Sequence, residues 1–211
     1  MPDEIATLVL AAGASRRMGS PKALLPWGQR TVLEHLLEEI HAQANAEYAA
    51  DSLIIVTGAH HDQIKSAIPS WSDMLEYNAS WDQGMGNSLA FGIQRTQEKF
   101  PNAIAVMILL VDQPLIDRKY IRTLKEYSKE YPKKIIASRY AEGFGAPAII
   151  PAILWDYMLL ESPKQGAKSW MRKQAAILSP ELHPDLRDID TPAAYQRLHS
   201  EWKQNQPNTT G

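Results

Sequence analysis

One stretch near the start of this chain combines small residues and basic residues in a way that suits chemistry on phosphates. The stretch, residues 11–22, follows a short apolar run and contains Arg16, Arg17 and Lys22. Its first residues have almost no side chain, so backbone N–H groups there can approach a base or a phosphate closely. The three basic side chains supply the positive charge that a polyphosphate requires in a cleft. This combination predicts a binding site for a nucleoside triphosphate.

The loop differs from two familiar phosphate-binding motifs. It has neither the G-x-x-x-x-G-K-[ST] spacing of a P-loop nor the G-x-G-x-x-G spacing of a dinucleotide fold. A glycine turn with basic residues is also compatible with an ordinary strand, turn and helix that carries solvated charges. The full order of residues, however, resembles the signature of the MobA-like nucleotidyltransferases, and in particular of their molybdopterin cytidylyltransferase branch. That order is Leu10-Ala-Ala-Gly-x-Ser-x-Arg-Met-Gly-x-Pro-Lys22.

The resemblance implies roles for individual residues of the loop. Arg17 and Lys22 would act on the phosphates during catalysis, and the backbone of the first four residues would contact the base. The Ala-Ala-Gly form resembles the cytidylyl branch, whereas the guanylyl branch typically has Ala-Gly-Gly, so the expected nucleotide is CTP. The implied nucleotide-binding residues of the loop are Leu10, Ala11, Ala12, Gly13, Ser15, Arg16, Arg17 and Lys22.

A second block, residues 78–88, resembles the Asn-x-x-Trp-x-x-Gly-Met-x-x-Ser pattern of the same family. The resemblance implies that Asn78, Gly84 and Ser88 line the nucleotide pocket, with Ser88 near the base. Each residue taken singly is also compatible with a glycine turn that has an Asn or Ser cap.

Two aspartates are the predicted metal ligands. Asp112 follows a continuous apolar run, residues 103–111, which indicates a central parallel strand buried on both faces. A carboxylate at the end of such a strand points into the crevice where α/β sheets bind ligands. Asp190 belongs to an Asp-x-Asp-Thr-Pro block that resembles the C-terminal motif of the family. One or two carboxylates together with substrate phosphates are a typical Mg²⁺ site, so Mg²⁺ is the expected cofactor.

Helix capping is the alternative role for these carboxylates. For Asp112 it is the weaker interpretation, because Asp117 can itself cap the following helix. For Asp188, two residues before Asp190, stabilisation of a helix start is as good an interpretation as metal binding. His60 and His61 could also suggest a metal, but no third His and no Cys stands at a ligand spacing, so they are interpreted as loop or helix-start residues.

The acceptor site rests on weaker patterns. Gly145 and Pro147 resemble the Gly-x-Pro of the family, whose backbone would face the acceptor, although Gly and Pro also commonly punctuate strands. Lys168 is the remaining predicted acceptor residue. Residues 163–164 are Pro-Lys, where the molybdopterin enzymes usually show Gly-Asp. An ammonium therefore replaces a carboxylate close to the expected acceptor, which makes the acceptor less secure than the nucleotide.

Composition limits the class of protein. With 211 residues and 45% hydrophobic content, the chain is predicted to form one domain over residues 1–203, followed by a disordered tail, residues 204–211. A net charge of −2 and a pI near 6.3 argue against nucleic acid as a partner. The absence of cysteine excludes disulfides and thiolate metal sites. No apolar run approaches the ~20 residues of a membrane span, so we expect a soluble, cytoplasmic protein without a membrane partner.

The order of predicted elements indicates the fold class. Strands are predicted at residues 5–10, 53–57, 75–78, 103–111 and 134–138, and helices at 31–40, 61–68, 117–131, 152–160, 167–175 and 191–202. This alternation predicts a three-layer α/β/α domain with a mostly parallel central sheet. The family resemblance, which covers Leu8 to Leu198, implies the Rossmann-like nucleotidyltransferase fold.

The function implied by the resemblance is transfer of CMP from CTP to the terminal phosphate of molybdopterin, with release of pyrophosphate. Guanylyl transfer to the same cofactor and nucleotidyl transfer to a sugar phosphate stay open. A non-catalytic nucleotide-binding or cofactor-chaperone module is the alternative from another class, although simple binding requires neither Asp112 nor Asp190. The expected partners are CTP or another NTP, the phosphate-bearing acceptor, and transiently a molybdoenzyme or its chaperone.

Overall fold

A seven-stranded sheet in the order β5-β4-β1-β6-β8-β7-β9 forms the centre of the computed structural model, which describes residues 4–42, 52–165, 170–171, 174 and 177–205. A short hairpin, β2-β3, is separate from it. The strands are β1 Glu4–Ala11, β2 Pro26–Trp27, β3 Arg30–Thr31, β4 Leu53–Thr57, β5 Leu75–Tyr77, β6 Ala103–Leu110, β7 Ile135–Tyr140, β8 Gly143–Pro151 and β9 Ile177–Leu178.

Strand directions confirm a mostly parallel sheet. Strands β5, β4, β1 and β6 run parallel to one another, and β9 is parallel to β7. Strand β8 is antiparallel to both of its neighbours, β6 and β7. Strand β6, which the sequence predicts as a central parallel strand, is therefore parallel to its neighbour β1 but antiparallel to its other neighbour, β8.

Helices cover both faces of the sheet and so confirm the three-layer α/β/α class. They are α1 Val32–His41, α2 His61–Ala67, α3 Met85–Lys99, α4 Arg118–Glu130, α5 Trp155–Gln165 and α6 Pro192–Gln204. Side chains of β1 alternate between the two layers of core: Ile5 and Val9 pack with residues of α1, α4 and α6, whereas Leu8 and Leu10 pack with residues of α3 and α5. This alternation follows from the period of two residues in a strand.

Local sequence signals place the helix starts. Thr31 and Glu34 form the predicted capping box at the start of α1. The carboxylate of Asp117 accepts a hydrogen bond from the backbone N–H of Tyr120 at 2.8 Å and caps α4. Thr191 caps α6, with Pro192 in its first turn. Helix α6 extends to Gln204, the first residue of the predicted tail, and residues 206–211 lie outside the described part of the chain.

The helix predicted at residues 152–160 begins as one 3₁₀ turn and continues as α5 to Gln165. Most of the helix predicted at residues 167–175 lies outside the described residues. Among the residues that the structure describes, no helix combines the length and apolarity needed to cross a membrane.

Two neighbouring loops approach each other closely where β1 and β4 end. A Cβ atom added to Gly58, which follows β4, would lie 2.4 Å from the Cβ of Trp81 and 2.6 Å from the carbonyl oxygen of Ala12. Only glycine allows the backbone this approach. Since β1, β4 and β6 are parallel, the segments that follow all three strands meet at one edge of the sheet.

Candidate active site

A cavity of about 460 Å³ lies at this edge of the sheet. Its walls are formed by the glycine-rich loop, the start of α3 and the residues after β6. A ligand crevice at the carboxyl ends of parallel strands is the usual arrangement in open α/β sheets. The predicted site residues that line it are Leu10, Ala11, Ala12, Gly13, Ser15, Arg16, Arg17, Lys22, Gly84, Ser88, Asp112 and Asp190.

The glycine-rich loop is held in shape by its own polar groups. Ser15 has φ of +51°, a left-handed conformation that non-glycine residues rarely adopt. Its hydroxyl accepts a hydrogen bond from the backbone N–H of Lys22 at 3.1 Å, and its carbonyl accepts one from Met18 at 2.9 Å. The end of the loop is thereby folded back onto its middle.

Four charged side chains meet at one side of the cavity. The ammonium of Lys22 donates to a carboxylate oxygen of Asp112 at 3.0 Å and to one of Asp190 at 2.5 Å. A guanidinium nitrogen of Arg17 donates to the other oxygen of Asp190 at 2.9 Å. The Lys22 side chain is only 14% exposed, whereas that of Arg17 is 70% exposed. The mostly enclosed Lys22 side chain thus joins two carboxylates that are far apart in sequence.

These contacts shift the ionisation of the cluster. Burial acts to lower the pKa of Lys22, but the two aspartates outweigh it, so its pKa is raised and the ammonium stays charged. The hydrogen bond from Lys22 is the main cause that lowers the pKa of Asp190. Burial, followed by the charge of Asp112, raises the pKa of Asp188.

The segment before α6 delivers Asp190 to the cavity. The backbone N–H of Ile189 donates to the carbonyl oxygen of Asp112 at 2.9 Å, and the Ile189 side chain is fully buried. Thr191 then starts α6 directly after Asp190. A backbone hydrogen bond and a buried anchor therefore fix the position of this carboxylate relative to Asp112.

The donor set at the cluster fits a hard divalent cation. Within the described part of the chain, no group of three or more His, Cys, Asp or Glu side chains could hold a metal ion. Asp112 and Asp190 nevertheless converge on a single cationic group. Two carboxylates completed by phosphate oxygens and water are a typical setting for Mg²⁺.

Asn78 lies behind the cavity rather than on its surface. It is only 3% exposed, and its amide donates to Asn87 Oδ1 and to Ser88 Oγ, each at 3.1 Å. Ser88 itself lines the cavity, and so does Gly84. Gly84 has a φ of +102° and directly precedes the first turn of α3. The structure therefore places Asn78 where it orients Ser88.

Two of the predicted acceptor residues, Gly145 and Pro147, are not among the described residues that line the cavity. Gly145 and Pro147 lie on β8, where the hydroxyl of Tyr140 donates to the carbonyl between them, that of Ala146. Gln113, directly after Asp112, donates to the Tyr140 hydroxyl at 2.8 Å. Burial raises the pKa of Tyr140 to about 12. Lys168 lies outside the described residues.

Comparison with known proteins identifies the family. The family of the MobA-like NTP transferase domain matches residues 7–177. The chain belongs to this family. It is 26% identical to the purine catabolism protein PucB of Bacillus subtilis over 204 residues, which is 90% of this chain and 93% of PucB. It is 32% identical to the bifunctional protein GlmU of Mycolicibacterium paratuberculosis over 130 residues, 58% of this chain but only 25% of GlmU.

Solved structures show the same fold. Rv0371c from Mycobacterium tuberculosis H37Rv superposes with a TM-score of 0.77 at 24% identity, covering 95% of this chain and 99% of Rv0371c. The complex of that protein with manganese superposes with a TM-score of 0.72 at 23% identity, over 93% of this chain and 98% of Rv0371c. The chain is thus a MobA-like nucleotidyltransferase with a Rossmann-like fold.

Several cavity residues of this MobA-like chain are absent from the predicted set, notably His60, Trp81 and Asp82. His60 precedes α2 and His61 is its first residue, as the sequence predicts, but His60 also reaches the glycine-rich loop. The sequence contains a signal for this position of His60. It comes three residues after the end of β4, a strand parallel to β1, and so lies at the same edge of the sheet as the glycine-rich loop. Trp81 and Asp82 lie inside the second predicted block.

Proposed function

We propose that this protein transfers a CMP group from CTP to the terminal phosphate of molybdopterin and releases pyrophosphate. The convergence of Lys22 with Asp112 and Asp190, beside a glycine-rich loop and in a cavity large enough for a nucleotide, is the observation that supports it. The choice of CTP rests on the Ala11-Ala12-Gly13 form of the loop.

In the proposed reaction, an oxygen of the acceptor phosphate forms a bond to the α-phosphorus of the nucleotide. The bond from that phosphorus to the oxygen bridging the β-phosphate breaks, and pyrophosphate leaves with the electron pair. Such a reaction depends on positioning and charge stabilisation rather than on a covalent nucleophile of the enzyme. The roles left to this chain are therefore binding, alignment and neutralisation of charge.

Each group of the cavity has one of these roles. Lys22 and Arg17 neutralise the triphosphate, and the backbone from Leu10 to Gly13 binds the base, with Ser88 beside it. Asp112 and Asp190 would hold Mg²⁺, which when bound supplies positive charge at the reacting phosphate. Outside the cavity lining, the segment at Gly145 and Pro147 is proposed to contact the acceptor, together with Lys168, which lies outside the described residues.

Pyrophosphate release separates this proposal from a non-catalytic module, and the mass of the adduct separates cytidylyl transfer from transfer of another nucleotide. The purified protein is incubated with Mg²⁺, molybdopterin and each of the four nucleoside triphosphates in turn, and products are measured by mass. We expect a cytidylyl adduct and stoichiometric pyrophosphate with CTP, and about 10²–10³ lower turnover for Lys22→Ala. Lys65→Ala, which removes an exposed lysine of α2, is the matched control.

Each other result has a defined meaning. An adduct with GTP alone would replace the nucleotide assignment. Binding of a nucleotide without any pyrophosphate release, with molybdopterin or with sugar phosphates as acceptor, would favour a non-catalytic module and overturn the proposal.

A further inference from the structure

His60 connects the loop after β4 to the glycine-rich loop after β1. Its Nε2 lies 3.1 Å from the carbonyl oxygen of Ala14, and the residue lines the cavity. Because a carbonyl oxygen can only accept a hydrogen bond, Nε2 must carry the proton. His60 is therefore a donor to the backbone of the nucleotide loop.

A second hydrogen bond joins the same two loops. The backbone N–H of Ala59 donates to the carbonyl oxygen of Ala12 at 3.2 Å. Alternate carbonyls of the glycine-rich loop, those of Ala12 and Ala14, are thus both held by the loop after β4. Gly58 makes this contact possible, since any side chain there would collide with Ala12 and Trp81.

This pairing determines where the amide groups of the loop point. A trans peptide places its C=O and N–H on opposite sides. With the carbonyls of Ala12 and Ala14 directed at the loop after β4, the N–H groups of Gly13 and Ser15 are directed away from it. Both of these residues line the cavity, and a loop N–H group whose direction is fixed, such as that of Ser15, can donate to an anion there.

We propose that His60 is a positioning residue for the triphosphate: it holds the Ala14–Ser15 peptide so that the Ser15 N–H is presented to a phosphate oxygen. This inference rests on the proposed function, because it presumes that the cavity binds a nucleoside triphosphate. The left-handed φ of Ser15 supports it, since a conformation that costs energy in a non-glycine residue persists only where contacts stabilise it.

The neighbouring histidine provides a natural comparison. Nδ1 of His61 lies 2.7 Å from the hydroxyl oxygen of Thr57, and its ring contacts that of Tyr77. His61 does not belong to the cavity lining and has no hydrogen bond to the glycine-rich loop among the described contacts. The two adjacent histidines therefore differ in the contact on which the proposal depends, the hydrogen bond to the glycine-rich loop.

The wild type is first titrated by calorimetry, in the presence of Mg²⁺, with each of the four nucleoside triphosphates. The nucleotide that it binds most tightly is then used to compare three variants. His60→Leu should weaken binding about 10-fold, the effect of losing one part-buried hydrogen bond. His60→Gln, whose amide nitrogen can replace Nε2 as the donor, should stay within about 3-fold of the wild type. His61→Leu should also bind like the wild type.

A comparison of binding of the nucleoside monophosphate with binding of the triphosphate distinguishes positioning of the phosphates from general destabilisation of the protein. The His60→Leu defect should be several-fold smaller for the nucleoside monophosphate with the same base than for the triphosphate, and the melting temperatures of the His60 and His61 variants should fall to a similar extent. Wild-type affinity in His60→Leu, or an equal defect in His60→Gln, would overturn the inference alone. Failure of the wild type to bind any of the four triphosphates would overturn the proposed function, and the inference with it.

Discussion

Asp112 and Asp190 share one internal counterion, the ammonium of Lys22. A triphosphate in the cavity would offer Lys22 and Arg17 new anionic partners, and the two carboxylates would then be free to bind a divalent cation. Under the proposed function, the two cationic side chains are complementary to the triphosphate and the two carboxylates to its metal ion, so the site suits the nucleotide and the metal bound together. Asp112 is the more enclosed carboxylate, with 20% side-chain exposure against 40% for Asp190.

Neutralising Asp112 tests the metal role directly. We expect Asp112→Asn to lose most transfer activity at ordinary Mg²⁺ concentrations, because the amide keeps the size of the side chain but removes the charge that binds a hard cation. Asp190→Asn should lose less, since that carboxylate is more exposed to solvent. The measurement is turnover as a function of Mg²⁺ concentration, with far-UV circular dichroism to verify folding.

Asp117→Asn is the matched control. The Asp117 side chain caps α4 through the N–H of Tyr120, and asparagine caps a helix about as well as aspartate. That variant should keep wild-type turnover. If Asp112→Asn stays within a few-fold of the wild type at limiting Mg²⁺, Asp112 does not bind the metal.

Individual residues were predictable from sequence where a local motif contained them. The loop from Leu10 to Lys22 lies on the cavity because it follows a central strand without interruption. Asn78 was placed in the same pocket by its motif, but its side chain is buried behind Ser88. The contact of His60 with Ala14 joins residues 46 positions apart, and no local pattern encodes such a distance.

At the scale of elements, the packing of α3 against the sheet controls the position of Ser88. Gly92 is the point of closest approach: a Cβ there would lie 2.6 Å from a methyl carbon of Leu8 and 3.0 Å from one of Val56. Leu8 and Val56 are completely buried, so they have little room to move. The glycine therefore lets the helix lie close to β1 and β4.

We expect Gly92→Ala to reduce the free energy of unfolding by up to about 2 kcal/mol, because an overpacking cost of about 1–3 kcal/mol outweighs the gain of roughly 1 kcal/mol in helix propensity. Chemical denaturation of the variant and the wild type measures the difference. Gln94→Ala, at an exposed position of the same helix, should change stability by no more than about 0.5 kcal/mol. Equal or greater stability of Gly92→Ala would show that the helix can shift away at little cost.

Elements were more predictable than their directions. The capping box at Thr31 and the Thr191-Pro192 start mark two helices locally, and both are present. The long strand β8 and its antiparallel pairing with β6 were not predicted. A continuous apolar run such as β6 shows that a strand is buried on both faces, but parallel and antiparallel neighbours leave the same pattern in it.

At the scale of the whole molecule, the parallel part of the sheet and the segment before the C-terminal helix jointly form the site. Aromatic rings hold that helix: His199 of α6 stacks on Trp27 of the β2-β3 hairpin and on Trp202, and the Trp202 ring contacts Trp27 at a tilt. The hairpin begins just after the glycine-rich loop, and α6 begins just after Asp190. One cluster of rings therefore keeps the first and last parts of the site together.

The pH dependence of global stability between pH 7.5 and 9.5 should be dominated by one buried lysine of α4. Lys125 is only 5% exposed, and burial, assisted by the charge of Lys129, lowers its pKa to about 8. Between pH 8 and the ordinary value of 10.5, the folded protein has released this proton while the unfolded chain still holds it. The unfolded state then binds more protons, so stability rises with pH across this window.

We expect the free energy of unfolding to rise between pH 7.5 and 9.5 by up to about 1.4 kcal/mol per pH unit, the value for one proton, and Lys125→Met to remove most of this rise. Urea denaturation at several pH values measures it; the range stops below pH 10 because the raised pKa of Tyr120 and Tyr140 acts in the opposite direction there. Lys119→Met, at an exposed position of the same helix, should follow the wild-type curve. A flat wild-type profile, or an equal slope in Lys125→Met, would show that the folded protein leaves the ammonium of Lys125 in contact with water.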